Sequence, residues 1–345
     1  MTFRLPPEWY PQDAVMLTWP HADTDWAPFL SEVIPVYLEI AREVLSRQSL
    51  VLVCHNQTVQ ARVRELFENS QIDQSRLYTV VIPCNDTWAR DHGPITLINE
   101  NGESRAMDFT FNGWGGKYEA SLDNAINAHL LKATFTSAQH QVCSMVLEGG
   151  GIEVDEKGNL LTTEQCLLNP NRNPNLSREQ IESELKDTLG VNHILWIKHG
   201  ELDGDDTDSH IDTLARFAPN NTIAYVQCSN PNDDHYPELH KMERELQALT
   251  NQQGESFNLV PLPWPDPCFN AEGERLPATY ANFLVINGAV LLPTYRQAEN
   301  DQTAINQIQK AFPDHEIIAI DCLPLIQQFG SLHCISMQLP KGFLA

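Results

Sequence analysis

Trp88-Ala89-Arg90-Asp91-His92, followed at a short distance by Asn101-Gly102, is the stretch that decides the fold, because its layout recurs along the chain. Asp91 stands ten residues ahead of Asn101. Glu148, opening Glu148-Gly149-Gly150-Gly151, stands nine ahead of Lys157-Gly158, and His210, in Asp208-Ser209-His210-Ile211-Asp212, ten ahead of Asn220-Asn221. Cys334, in His333-Cys334, lies eleven residues from residue 345. Pairs such as Asn-Gly adopt the positive φ values that tight hairpins need, so each marks a turn. Asn287-Gly288, between two β-rich runs, reads as a fourth hairpin. Turns at about 101, 157, 220 and 287 are spaced by 56, 63 and 67 residues, and one more interval of that size reaches the end of the sequence. A fifth hairpin then forms if the last strand, 334–338, pairs with the first, 14–19. The pattern predicts five units of strand, strand, helix and strand in a ring closed by the termini. A polar residue at one fixed place in each unit converges on the ring axis. The competing reading is a two-domain α/β protein whose spacing is accidental.

Periodicity fills in the units. Helical spacing is clear in 29–47, where Leu30, Val33, Tyr37, Ile40 and Val44 share a face. Weaker amphipathic patterns cover about 57–69, 119–132, 177–189, 237–250 and 302–312. Between them run short β-rich segments at 50–54, 77–82, 194–197, 222–228, 283–286, 289–292 and 317–320. No low-complexity linker divides the chain, so residues 1–345 are expected to form one domain.

Composition bounds the function. Of 345 residues, 42% are hydrophobic and 20% charged, an ordinary globular balance. Forty-six acidic residues against 22 basic ones give a net charge of −24. Such a surface repels nucleic acid and anionic lipid and favours the approach of cations. The N-terminus lacks the apolar core of a signal peptide and no run reaches membrane-spanning length, so a cytoplasmic protein is expected. Eight cysteines are scattered without a CxxC pair, which indicates neither a zinc ribbon nor a redox dithiol. Cys54 and Cys228 lie in apolar runs and read as inert core residues.

Cys334 differs, with Gly330-Ser331 and His333 around it. A thiolate is a nucleophile, and it needs a nearby positive charge or base. If 334–338 is a strand, His333 and Cys334 point to opposite faces, which makes the distant His210 the better partner. His210 and Asp212, two apart, share a face if they too lie on a strand. The acidic segment 203–212 fails as an EF-hand, since its sixth position is Asp208 rather than Gly and its twelfth is Leu214 rather than Glu. It stays open as a weak His-x-Asp metal site, as a substrate site in which Asp212 holds a cation and His210 moves protons, or as a solvated loop. Asp91 is either a functional carboxylate or a local cap. Glu148, at the end of the apolar run Met145-Val146-Leu147, is costly to bury unless paired, and the glycines after it suit close backbone packing beside a site. Carboxylates beside a thiolate make little sense for acyl transfer, which wants oxyanion donors. They make sense if the electrophile is a cation, and a planar guanidinium is the obvious one.

Trp88-Ala89-Arg90-Asp91, Phe111-Asn112-Gly113-Trp114-Gly115-Gly116-Lys117-Tyr118, Glu148-Gly149-Gly150, Leu167-Leu168-Asn169-Pro170-Asn171-Arg172, Thr207-Asp208-Ser209-His210-Ile211-Asp212 and His333-Cys334-Ile335 together resemble the agmatine deiminase family, in family order over almost the whole chain. That family belongs to the guanidino-group-modifying superfamily and has the five-bladed α/β-propeller (pentein) fold. The resemblance implies hydrolysis of agmatine to N-carbamoylputrescine and ammonia with neither a metal nor an organic cofactor. It implies Cys334 as nucleophile, His210 as proton carrier supported by Glu148, and Asp91 and Asp212 as guanidinium clamps. Trp88 and Asp206 are implied to line the substrate tail and meet its ammonium, with Trp114 beside them. Two stretches depart from the family pattern. Gln328-Phe329-Gly330-Ser331-Leu332 stands where many members have Gly-Gly-Gly-Asn-Ile, and Ser209 replaces a common glycine. Both lie in loops that shape the mouth.

The expected partner is a small cationic guanidino compound, with no nucleic acid and no membrane, and a homo-oligomer is left open. A single residue acting first as acid and then as base suits a His210 pKa near neutrality. Two alternatives accompany this reading: a deiminase of free or peptide-terminal arginine on the same fold, and a metal-dependent amidohydrolase using His210, Asp212 and Asp208. An arginine substrate carries a carboxylate, which wants a cationic residue at the mouth, whereas Asp205-Asp206 is acidic.

Overall fold

The computed structural model describes residues 2–345 and shows a mixed α/β fold. Strand β1 (Gln12–Thr18) runs parallel to β2 (Ser49–Cys54), and β2 runs parallel to β3 (Leu77–Val81). Helices Leu30–Arg47 and Gln57–Asn69 make the two crossovers. The longer helix buries Val33, Val36, Tyr37, Ile40, Ala41, Val44 and Leu45, the stripe its spacing predicts.

A different three-stranded unit, an antiparallel hairpin followed by a parallel strand, then repeats. β4 (Ile95–Ile98) pairs antiparallel with β5 (Ser104–Thr110), which runs parallel to β6 (Gln139–Val146). β7 (Ile152–Val154), β8 (Asn159–Thr163) and β9 (His193–Ile197) follow in the same order, with helix Arg178–Leu189 as crossover. β10 (Ala215–Ala218), β11 (Thr222–Gln227) and β12 (Asn258–Pro263) come next, with helix Tyr236–Ala248. After a two-stranded excursion, β13 (Cys268–Phe269) with β14 (Arg275–Leu276), the last such sheet is β15 (Leu284–Ile286), β16 (Ala289–Thr294) and β17 (Glu316–Asp321), with helix Ala298–Ala311. Finally β18 (Ser336–Pro340) returns to pair antiparallel with β1, completing a hairpin made of the two ends of the chain.

All four expected turns fall between paired strands. Gly102, Gly158 and Gly288 sit at φ of +77°, +81° and +75°, and Asn220 and Asn221 at +62° and +58°. One local expectation fails. The amphipathic stretch 119–132 is not one helix but two short ones, Ser121–Asn124 and Ile126–Leu130, interrupted at Ala125. Asp123 and Asn124 there accept the backbone N–H groups of Asn85 and Phe111, so the chain follows its neighbours rather than its own period. No helix among the described residues is long and apolar enough to cross a membrane.

The consequence for function lies just ahead of each hairpin. Asp91 precedes β4, Glu148 precedes β7, His210 and Asp212 precede β10, Asn282 precedes β15 and Cys334 precedes β18. These five segments touch. The Arg90 N–H donates to the Cys334 carbonyl, the Gly150 N–H to Asp91, and the His333 N–H to Asn282.

Candidate active site

Gly150 is the point where the site is assembled. A Cβ on it would lie 2.6 Å from His210 Nδ1, 2.9 Å from Asp91 Oδ1 and 3.0 Å from Asp212 Oδ2. Only a residue without a side chain lets these three groups, from the segments leading into β4 and β10, crowd one spot on the segment leading into β7.

Asp91 lies in a one-turn helix, Ala89–His92, and is buried. Its Oδ2 accepts from Trp114 Nε1 at 3.0 Å and its Oδ1 from the Gly150 N–H at 3.0 Å. Trp114 reaches it because Gly113, Trp114, Gly115 and Gly116 all take left-handed φ, Trp114 at +54°. Asp212 is fully buried. Its Oδ2 pairs with His333 Nδ1 at 2.7 Å, and its Oδ1 is buried without a hydrogen-bond partner. A buried carboxylate oxygen without a donor is costly. His210 lies 3.6 Å from Asp91 Oδ1 through Nδ1 and 3.9 Å from Glu148 Oε2 through Nε2, which has no hydrogen-bond partner of its own. Glu148, fully buried, is held by Arg172, whose Nε approaches both carboxylate oxygens at 2.9 Å. Cys166 completes a tight group with Glu148 and His210.

The electrostatics follow from this crowding. Burial, then Asp212 and Asp91, hold the Cys334 thiol well above its usual range. Burial disfavours the His210 cation, but Asp91, Cys166 and Glu148 outweigh it and push the imidazole from 6.5 up to about 10. The expectation of a near-neutral histidine therefore fails, because the surrounding carboxylates stabilise the imidazolium. Burial and the neighbouring carboxylates likewise raise Asp91, whereas at Asp212 the cost of burial is outweighed by the His333 hydrogen bond, which keeps the carboxyl low.

Two strand assumptions are corrected. His210 precedes a 3₁₀ turn, Ile211–Thr213, rather than lying on a strand. Asp208 and Ser209 turn the chain at φ +65° and +61°, and the His210 N–H bonds locally to Thr207 Oγ1. Residues 331–335 are a turn as well, with Ile335 N bonded to the Ser331 carbonyl, so His333 and Cys334 do not alternate across a sheet. His333 instead spans two buried carboxylates, Asp212 through Nδ1 and Glu8 through Nε2, each at 2.7 Å. The Cys334 thiol donates to Asn282 Oδ1 at 3.4 Å, an atom that also takes the backbone N–H groups of His333 and Cys334. Sequence reasoning missed Asn282 and Glu8, which carried no signal. It missed Arg172 and His333 although both stood inside quoted motifs.

Cys334 opens into a cavity of about 160 Å³ lined by Trp88, Asp91, Trp114, Tyr118, Asp206 and Thr207, with Asp25 and Asp86 joining from elsewhere in the chain. Trp88 and Trp114 meet edge to face, 6.5 Å between centroids. Asp206 accepts from the Tyr118 hydroxyl at 2.7 Å. Gln328, Phe329 and Gly330 form the remaining wall. A Cβ on Gly330 would lie 2.1 Å from the Trp88 ring, so a side chain at this position would displace that ring. Phe329 and Ser209, the residues standing where glycine is common, both hold positive φ. Asp208 is bound by Arg172 at 2.7 Å and Lys117 at 2.9 Å, so its charge is already paired and the His210, Asp212 and Asp208 metal set is not favoured.

Residues 4–340 match the family described as Porphyromonas-type peptidyl-arginine deiminase. An agmatine deiminase of Pseudomonas syringae pv. tomato is 33% identical over 99% of this chain and 97% of its own. A C. jejuni agmatine deiminase, a cysteine-to-serine variant solved with substrate bound, superposes with a TM-score of 0.90 at 40% identity, covering 99% of this chain and 97% of its own. A Porphyromonas gingivalis structure provisionally named an arginine deiminase superposes at 0.91 with 46% identity over the whole of both chains.

Proposed function

The chain belongs to the Porphyromonas-type peptidyl-arginine deiminase family, and from that premise we propose that it hydrolyses agmatine to N-carbamoylputrescine and ammonia. The observation that carries the reading is the paired carboxylates Asp91 and Asp212 beside Cys334, at the end of a cavity whose other acids are Asp25, Asp86 and Asp206 and which, among the described residues, no lysine or arginine lines. A guanidinium fits between two carboxylates by paired N–H···O bonds, and Asp212 Oδ1 has an acceptor to offer. The acidic wall suits an ammonium tail; the carboxylate of an arginine finds no cationic partner there.

In this reading the substrate switches on its own nucleophile. Burial, then Asp212 and Asp91, hold the thiol protonated before substrate binds. A bound guanidinium neutralises them, so the Cys334 pKa falls and the thiol releases its proton to solvent, leaving the thiolate. The same cation withdraws the carboxylate support that lifts His210, readying it to give up a proton. Cys334 attacks the guanidinium carbon, His210 protonates the departing nitrogen, and ammonia leaves an S-alkylthiouronium. His210 then takes a proton from water, which attacks that carbon, and the C–S bond breaks to release the ureido product and the thiol. Trp88, Trp114 and Asp206 contact the tail. That the C. jejuni relative holds its substrate once a cysteine is replaced by serine supports a cysteine as the reacting group.

We also infer that the five repeated sheets stand around one axis as a five-bladed α/β-propeller forming a single domain over 1–345. The contacts among all five leading segments and the β18–β1 hairpin support this arrangement. The test of function is to incubate chelator-treated protein with agmatine, free arginine or an arginine-terminated peptide and follow ammonia and ureido product. Release from agmatine is expected. Release from an arginine substrate alone overturns the tail assignment, and activity restored only by added metal hands the site to an amidohydrolase.

A further inference from the structure

Asp212 is held differently from Asp91. Both Asp91 oxygens accept a neutral donor, Trp114 Nε1 on one and the Gly150 N–H on the other. Asp212 is fully buried, and among the described residues its carboxylate takes a single hydrogen bond, from His333 Nδ1 at 2.7 Å. An ionised carboxylate has only lone pairs to offer, so His333 carries the proton between them. That contact occupies Oδ2 and leaves Oδ1 without a partner.

The imidazole is fixed from its far side as well. Nε2 lies 2.7 Å from Glu8 Oε2 and 3.0 Å from Arg216 Nη2, and these two side chains pair with each other at 2.7 Å. Glu8 is fastened by the Val285 N–H at 2.7 Å, and Arg216 donates to the Phe283 carbonyl at 2.6 Å. Both anchors lie within three residues of Asn282, whose Oδ1 takes the N–H groups of His333 and Cys334 and the thiol. The ring and the Cys334 sulfur are thus placed by one short stretch of chain.

We propose that His333, anchored by Glu8 and Arg216, is the positioning residue of the guanidinium clamp: its Nδ1–H takes up one oxygen of Asp212 and leaves the other for the substrate. This role rests on the deimination proposed above. His333 does not touch the reacting atoms and acts through Asp212. Without it a buried carboxylate is left with no donor, which costs more than the bond itself contributes. Burial raises the Asp212 carboxyl, and the His333 hydrogen bond, with His210 and Arg216 nearby, outweighs it. Asp91 and the Cys334 thiol face Asp212 as acids, while Arg90 and Glu153 share the buried network of Arg216 and Glu8. With the Nδ1 donor gone, the Asp212 pKa rises, and the ionised form that holds a cation is lost at a higher pH.

Two variants separate the two sides of the ring. His333→Asn keeps an amide donor near the Nδ1 position, whereas His333→Gln carries its donor to the Nε2 position and leaves Asp212 bare. Calorimetry of agmatine binding, in Cys334→Ala protein so that no turnover intervenes, should show about 10–100-fold weaker binding with His333→Gln. His333→Asn should restore most of that loss, and the acid limit of binding should move to higher pH in His333→Gln only. A merely structural histidine predicts equal losses in the two variants and an unmoved acid limit, and either result overturns the proposal. If neither variant folds, ¹⁵N-histidine spectra of Cys334→Ala protein carry the test. The Nδ1–H resonance, identified by its displacement on adding Asp212→Asn, should move when agmatine binds; a resonance that stays in place overturns the proposal. Absence of agmatine binding to Cys334→Ala protein overturns the clamp and this role with it. Ammonia release by the unmutated protein tests deimination separately, so the two failures are distinguishable.

Discussion

Cys334 and its carboxylates set the residue-scale expectations. Cys334→Ala should abolish ammonia release while calorimetry still detects agmatine binding, because Asp91 and Asp212 remain; a few per cent of residual turnover would exclude it as nucleophile. Asp212→Asn removes the charge of a fully buried partner of both substrate and His333, so substrate affinity should fall by about 2–5 kcal/mol. Unchanged affinity would remove Asp212 from the clamp. The raised pKa of His210 has a consequence for the empty protein. Its folded-state value, lifted from 6.5 to about 10, stabilises the fold fully at pH below 6.5, and that contribution is lost as pH rises towards 10. Melting temperature should therefore decline across that window, and His210→Gln should flatten the decline. The meeting of Cys334, His210, Asp91, Asp212 and Glu148 was legible because thiol, imidazole and carboxylate are recognisable residue types at repeating positions. Asn282 was not, since an asparagine that cradles a backbone turn looks like any other.

At the scale of elements, the turns were read correctly and the loops before them were not. Asn-Gly pairs announce themselves through their own φ, a local property. The conformation of 208–213 depends instead on Arg172 and Lys117, which fasten Asp208 from other segments. Assigning His210 and His333 to strands followed from counting alternate residues where no ladder exists, and it hid the His333–Asp212 bond. The wall segment 328–330 offers the sharpest test here. Gly330→Ala drives a Cβ into the Trp88 ring, so KM for agmatine should rise as Trp88 shifts, and stability should fall by about 1–3 kcal/mol. An unchanged KM would separate Trp88 from the substrate tail.

At the scale of the whole molecule, the chain carries a net charge of −24 and its cavity is lined by Asp25, Asp86, Asp91 and Asp206. Steering of a cationic substrate is screened by salt over a Debye length of about 8–10 Å at physiological ionic strength. The value of kcat/KM should fall several-fold as salt is raised from low to physiological levels, with kcat little changed. A flat response would assign the acidity to solubility alone.

The sequence by itself determined the repeating hairpins, the mixed α/β class and the residue types offered at the head of each hairpin, because turn chemistry, periodicity and side-chain functionality are carried locally. Only the tertiary structure decided which groups meet. The packing of Asp91, His210 and Asp212 against a bare Gly150, the Arg172–Glu148 and His333–Glu8 pairs, and the lifted pKa of His210 all arise between segments far apart in the chain. Their energies depend on distance and burial, which no stretch of sequence contains.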